Sequence, residues 1–244
     1  MPQTPPSIII FAAARVKITS TMYRPVTHLP ESGKLDRHRI NTKDSPVGIT
    51  PATPPRRRPL AVIVGWAAVI ALLWIIEVVD QLAPADLDGY GVVPRDVGHL
   101  PNIAFVPFLH SGFDHLSANT VPLALLGVLS ALMGLSRFWW ATGAIVVVSG
   151  LGVWLFEAPH TVTVGASGVV FGYFGYLVGS GVFNRRMLNI VVAVIVVVLY
   201  GSILWGVLPN QPGISWLGHL FGLIGGVVAA WFLRTRRQTP AVTS

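Results

Sequence analysis

The sequence predicts an all-α polytopic membrane protein, with six transmembrane helices and both termini in the cytoplasm. Three observations predict it. The 244 residues are 52% hydrophobic and only 11% charged. Soluble chains carry roughly 25% charged residues, so a water-soluble globule is excluded and lipid must serve as solvent for much of the surface. From Leu60 onward the chain breaks into six apolar runs, near 60–79, 115–134, 138–156, 165–182, 188–207 and 214–233. Each is close to the roughly 20 residues that cross a hydrocarbon layer about 30 Å thick. Lys and Arg also collect on one side of this pattern. Arg56, Arg57 and Arg58 precede run 1, Arg137 separates runs 2 and 3, Arg185 and Arg186 separate runs 4 and 5, and Arg234, Arg236 and Arg237 follow run 6. The opposite side has Arg95 alone, with Asp80, Asp86, Asp88, Asp96, Asp114 and Glu157. By the positive-inside rule both termini are cytoplasmic.

Three regions follow. Residues 1–58 read as a disordered basic cytoplasmic tail, 59–237 as the six-helix membrane domain, and 238–244 as a short C-terminal tail. Ten of the seventeen Lys and Arg residues fall in the first region, which accounts for most of the net charge of +7. Its Pro-, Thr- and Arg-rich composition has no sustained periodicity. Its one apolar island, Ile8 to Ala14, is shorter than a span and has no basic residue ahead of it, which argues against a signal peptide or an anchor. Met22 stands as an alternative start within it. Such a tail is expected to touch anionic lipid, and no nucleic-acid partner is expected. The chain has no cysteine, which excludes disulfides, thiolate metal sites and a cysteine nucleophile together. Any nucleophile is Ser, Thr or Lys.

Taken in order, run 1 is followed by a long connection from Asp80 to Asp114; a connection that exceptional is usually functional. Run 2 opens Asp114-His115-Leu116-Ser117-Ala118-Asn119, with His115 and Asn119 four apart on one helix face. Run 4 opens Gly165-Ala166-Ser167-Gly168. Run 6 opens Ile214-Ser215-Trp216-Leu217-Gly218-His219, with Gly222 and Gly226 on the face of His219. Polar and ionisable side chains inside spans are functional candidates by default. With six spans, runs 2, 4 and 6 all enter from the outer side, so Ser167, His219, His115 and Asn119 share one layer within about 8 Å of that end at 1.5 Å per residue.

That constellation supports acyl transfer. A serine hydroxyl is a weak nucleophile until a base removes its proton, and histidine is the side chain whose pKa suits that task near neutrality. Ser167 is the expected nucleophile and His219 the expected general base. The oxyanion needs preorganised donors, for which the His115 ring N–H, the Asn119 amide and the Ser167 backbone N–H are the candidates. The start of a helix adds free backbone donors and the positive end of its dipole. No Asp or Glu lies within runs 2 to 6 at this layer except Asp114 at its edge, so a Ser–His dyad is expected. Gly168 with Gly172, and Gly222 with Gly226, form small-xxx-small pairs that let runs 4 and 6 approach closely. Phe171, one turn below Ser167, is placed to stack on the imidazole.

These residues together resemble the rhomboid family of intramembrane serine proteases, over about 60–234. The nucleophile motif Gly-x-Ser-Gly matches Gly165-Ala166-Ser167-Gly168. The base motif small-His-x-x-Gly-x-x-x-Gly matches Gly218-His219 through Gly222 and Gly226. The His-x-x-x-Asn of the second helix matches His115 to Asn119, and a preceding His matches His110. The resemblance implies hydrolysis of peptide bonds in membrane-spanning protein substrates by a Ser–His dyad, with no metal and no cofactor. Composition and Arg placement fit a bacterial plasma membrane, and the topology opens the site to the outer side. Many rhomboids carry a Trp-Arg pair in the long first loop; this loop reads Gly98-His99-Leu100-Pro101-Asn102-Ile103-Ala104-Phe105, with only Arg95 upstream.

Taken singly, each signal also has a plainer reading. Gly-x-Ser-Gly alone is a helix-packing patch, and it is not the hydrolase elbow Gly-x-Ser-x-Gly because Val169 occupies the fifth place. His219 alone is a structural or proton-relaying histidine. His115 and Asn119 alone are helix-start groups under Asp114 as N-cap. His110 reads as structural, holding the loop to run 2. His99 and His160 read as solvated loop residues. A zinc shared by His110 and His115 lacks a third ligand at suitable spacing. Trp139, Trp140, Trp154, Trp205 and Trp216 read as interfacial anchors. Two rival functions are a catalytically inactive client-binding relative and a small proton-coupled transporter; the second lacks an inverted repeat and a midplane carboxylate.

Overall fold

The computed structural model describes residues 58–82, 86–209 and 213–235. The expected tail at 1–58, apart from Arg58, and the expected segment 238–244 lie outside the described residues, as do Arg56, Arg57, Arg236 and Arg237. The helices are α1 (Arg58–Leu82), α2 (Phe113–Leu132), α3 (Leu135–Phe156), α4 (Ser167–Asn184), α5 (Met187–Tyr200) and α6 (Trp216–Phe232). Among the described residues the only strand-like feature is one antiparallel bridge, Val92 to Thr163. The fold is all-helical.

Each apolar run became a helix, with instructive shifts at the ends. Residues 188–207 do not form one α-helix: α5 stops at Tyr200, and Gly201–Val207 continues as a 3-10 helix. Run 4 loses its first two residues because Gly165 adopts φ +120°, open to glycine alone without strain, so Ser167 is the first residue of α4. Run 6 starts at Trp216 because Ser215 caps it, accepting from the Gly218 N–H at 3.1 Å.

Among the described residues, four helices are long and apolar enough to cross a membrane: Leu60–Leu82, Phe113–Leu132, Leu135–Phe156 and Met187–Val207. The apolar α6 is shorter, at 17 residues. The 18 residues of α4 are diluted by glycine, serine and tyrosine, and thirteen of them are buried. That composition follows from position. A helix enclosed by its neighbours needs small residues for close packing, whereas a lipid-facing helix needs an apolar surface. In α5, by contrast, only Ala193 and Val196 are buried.

The most extensive packing is between α4 and α6, followed by α3 with α6 and α4 with α5. Glycines account for the closeness. A Cβ at Gly222 would collide with the Gly168 carbonyl oxygen, and one at Gly226 with that of Gly172. The α4–α6 contact is therefore backbone against backbone. On the far side of α4, Trp66 of α1 meets Phe138 edge-on at 5.4 Å, Phe138 stacks on Tyr173 at 5.6 Å, and the Trp66 indole donates to the Leu123 carbonyl at 2.9 Å. These contacts tie α1, α2 and α3 around the central helix.

The long connection after α1 is a chain of short 3-10 turns, Leu87–Tyr90, Val97–Ala104 and Val106–Phe108. Ile103 packs into the notch left by Gly150 of α3. Arg95 stands at φ +62°; its Nη1 donates to the Leu155 carbonyl at 3.2 Å and its backbone N–H to that of Trp154 at 2.9 Å. Trp154 returns a hydrogen bond from Nε1 to the Asp96 carbonyl at 2.9 Å. An arginine of the loop and a tryptophan of α3 thus pin a loop that lacks an adjacent Trp-Arg pair, and Trp154 is a loop clamp as well as a span-end aromatic.

The backbone contact predicts a contrast between two glycines. Gly226→Ala is expected to lower the unfolding temperature in detergent, because overpacking against a backbone costs about 1–3 kcal/mol or more. Gly143→Ala, on α3 with nothing within 4 Å of the added carbon, is expected to leave it unchanged or raise it, since alanine is about 1 kcal/mol better in a helix.

Candidate active site

The start of α4 is shaped by its neighbours. The Gly165 N–H donates to the Val106 carbonyl at 3.0 Å, and the Ala166 N–H donates to His110 Nε2 at 3.3 Å. His110 is 1% exposed; burial, with His115 beside it, pushes its ring down to about 4, so it is neutral near pH 7 and keeps that lone pair. His110 therefore ties the first loop to the entrance of α4 rather than to α2. Beyond Ala166 the Ser167 N–H belongs to the first turn of α4, where backbone donors have no partner within the helix.

His219 lies one turn into α6, 7% exposed. Its Nδ1 is 2.8 Å from the Gly206 carbonyl oxygen. A carbonyl only accepts, so Nδ1 carries the proton and Nε2 presents a lone pair. Phe171 stacks on the ring with centroids 4.1 Å apart and planes 8° from parallel. A Cβ at Gly206 would sit 2.9 Å from Phe171 Cζ and 3.1 Å from His219 Nδ1, so only glycine lets the carbonyl reach the ring undisturbed.

Ser167, His219, His115 and Asn119 line one cavity of about 410 Å³, with Ser111 and Ser149. No hydrogen bond joins Ser167 to His219 among the described residues. Such contacts are often loose in the free enzyme and tighten with substrate. The Ser111 N–H donates to His115 Nδ1 at 3.4 Å, and the Ser111 hydroxyl lies 3.1 Å from the same atom. The neutral His115 ring therefore carries its proton on Nε2, beside Gly165, where a Cβ would lie 2.8 Å from that nitrogen. Asn119 gives one amide hydrogen to the His115 carbonyl at 3.1 Å and has a second in reserve.

Of the other sequence-selected residues, Gly165, Gly168 and Phe171 also line the cavity, while Gly222 and Gly226 act from behind it through the helix contact. Asp114 is not the N-cap of α2: that position is Gly112, at φ +99°, and Asp114 lies in the first turn. His110 and His115 stand edge to face at 5.2 Å. No group of three or more metal-ligating side chains gathers among the described residues. Sequence reasoning missed Gly206, Ser111 and Ser149. The Gly206 contribution is a main-chain carbonyl, which has no sequence signature. Ser149, whose hydroxyl donates to the Gly218 carbonyl at 2.8 Å, was legible only as one more small residue in α3. It also missed Glu77, a carboxylate in α1 that is 1% exposed and bonded to Gln81 at 3.0 Å; it lines neither cavity.

A second hollow, about 310 Å³, shares Ser111, His115, Thr163 and Ser215 among others with the first and is further lined by Asp88, Glu157 and Thr161. It forms a polar vestibule on the loop side. Apolar helices around a largely apolar cavity in which a few polar side chains converge, with loops over one end, define a multi-pass helical membrane protein.

Comparison with known proteins agrees. A family model described as the Rhomboid domain matches residues 98–236. An uncharacterized protein of Mycobacterium tuberculosis is 42% identical over 194 residues, 75% of this chain and 81% of that one. One from Mycobacterium leprae is 39% identical over 208 residues, covering 80% and 82%. Rhomboid protease GluP of Bacillus subtilis is 32% identical over 129 residues, half of this chain and 24% of its own. The chain belongs to the rhomboid family.

The vestibule carries a pH signature. Burial first, then the nearby Asp80, Glu77 and Asp86, raises the Asp88 carboxyl from 3.8 to about 6. A carboxyl raised on folding binds more protons folded than unfolded between the two values, so its contribution to stability falls as pH rises through that window. Relative to Asp88→Asn, the wild type is expected to lose thermal stability from about pH 4 to pH 6, as read by unfolding temperature across a pH series.

Proposed function

We propose that this rhomboid-family protein is an intramembrane serine endopeptidase acting on membrane-spanning protein substrates. The observation that carries the reading is the held imidazole of His219: Phe171 on its face and the Gly206 carbonyl on Nδ1 leave Nε2 as a base in the cavity that Ser167 lines. In this mechanism Nε2 takes the Ser167 hydroxyl proton as Oγ attacks the substrate carbonyl. The oxyanion is received by the Ser167 N–H, His115 Nε2–H and the free Asn119 amide hydrogen. His219 then protonates the leaving amine, and a water deprotonated by the same Nε2 hydrolyses the acyl-enzyme. Besides that water, the reading calls on no metal and no cofactor. The Gly206 carbonyl fills the orienting role that an aspartate has in a triad.

The same reading makes α1 to α6 six spans, with 1–58 a basic cytoplasmic tail, 59–237 the protease domain and 238–244 a short tail. α4 and α6 cross inside the protein, where length and apolarity are relaxed. Both termini are cytoplasmic, and the cavity opens to the outer side of a bacterial plasma membrane.

Labelling of the purified protein in detergent by a fluorophosphonate tests the chemistry. Wild type is expected to label, Ser167→Ala and His219→Ala to lose labelling, and Asn119→Ala to slow turnover about 10²–10³-fold as an oxyanion donor is lost. A folded wild type that does not label would point to an inactive client-binding relative or a transporter. A reporter active only outside the cytoplasm, fused after Ser244, is expected to be silent; activity there would overturn the orientation.

A further inference from the structure

Gly218 immediately precedes the proposed base, and α3 holds its carbonyl directly and its N–H through Ser215. Its carbonyl accepts from Ser149 Oγ of α3 at 2.8 Å. Its N–H donates to the Ser215 hydroxyl at 3.1 Å, and that hydroxyl donates its own proton to Glu157 Oε2 at 2.7 Å. Glu157 is the C-cap of α3, its N–H on the Val153 carbonyl at 2.9 Å, and its Oε1 accepts from the Ala158 N–H at 3.3 Å. The carboxylate is thus anchored at the end of one helix and grips the cap of another.

The consequence is geometric. Ser215 also accepts the His219 N–H on its carbonyl at 3.3 Å, so Ser215 defines where α6 begins. A start displaced by one residue would rotate His219 by about 100° and move it 1.5 Å along the axis, away from Phe171 and the Gly206 carbonyl. A serine hydroxyl has one hydrogen and rotates freely. Committing that hydrogen to Glu157 turns the oxygen lone pairs toward Gly218 and strengthens the cap through cooperative polarisation. From these contacts we infer that Glu157 is a positioning residue for the general base, acting through Ser215 and Gly218 to fix the register of α6; the inference rests on the serine-protease reading above.

The test separates acceptor geometry from charge and from plain stability. Fluorophosphonate inactivation of the full-length protein in detergent is measured as maximal rate and half-saturating concentration, alongside unfolding temperature. Glu157→Ala and Ser215→Ala are each expected to lower the maximal rate about ten-fold or more, the scale of a base misplaced by a fraction of its reach, with half-saturation unchanged. Glu157→Gln keeps an acceptor for the Ser215 hydroxyl and is expected to stay within about two-fold of wild type. The Glu157→Ala/Ser215→Ala double variant is expected to be no slower than the slower single, since both break one chain. Ser215→Asp in the Glu157→Ala background restores an N-cap acceptor by itself and is expected to recover the rate. Wild-type rate in Glu157→Ala, Gln behaving like Ala, additive singles, or a rate loss that merely tracks unfolding temperature would each overturn the inference while leaving the protease reading intact. A folded wild type that fails to label would overturn both.

Discussion

The backbone contact between α4 and α6 sets the terms for everything else in the molecule. Within lipid there is no hydrophobic drive to press helices together, so association depends on van der Waals packing and hydrogen bonds. Pairing Gly168 with Gly222 and Gly172 with Gly226 lets the two main chains touch, and the side chains near their N-terminal ends, Ser167 and His219, then face a common cavity. The contact is also restrictive. Two helices that meet backbone to backbone cannot slide without opening a void, which makes the depth of Ser167 and of His219 a property of the pair rather than of either helix.

Glycine-rich helices are weak on their own account, and the surrounding elements compensate. The aromatic set Trp66, Phe138 and Tyr173 fills the far side of α4, and Thr142 meets the Tyr173 hydroxyl at 2.9 Å so that this polar atom is not stranded in the core. On the near side α3 adds glycines of its own: Gly152 receives Phe221 and Gly150 receives Ile103 of the loop. The loop is thereby fastened to the same three-helix core that carries the site, with the Val92–Thr163 bridge joining it to the approach to Ser167.

The way His219 is oriented follows from the solvent. An ionised aspartate buried beside the imidazole would have to be taken out of water at a cost of several kcal/mol. A main-chain carbonyl orients the ring and fixes its tautomer without bringing in charge. It can come from Gly206 because that residue lies in the last turn of the 3-10 helix Gly201–Val207, where carbonyls have no partner further along the helix. The one carboxylate that the site recruits, Glu157, stands at the loop end of α3, where it remains partly solvated.

By itself the sequence determined the all-helical class of the fold and a short list of candidate side chains. Apolar runs of span length must become helices, because lipid leaves unpaired backbone groups no other partner. Ser167, His219, His115 and Asn119 stood out because polar side chains are rare in such runs. Spacing rules also reach one turn along a helix, which is why the Phe171 stack on His219 was legible. Helix ends were less so: the start of α4 depends on the positive φ of Gly165 and the reach of His110, and the end of α5 on a change of helix type at Gly201. What only the tertiary structure decided is which backbone atoms meet which side chains. The Gly206 carbonyl on His219, the Ser149 hydroxyl on Gly218 and the pinning of the first loop by Arg95 and Trp154 join residues 13 to 69 positions apart. A carbonyl is present at every residue, so nothing in the order of side chains distinguishes the one that orients His219; that distinction exists once packing brings it within 2.8 Å.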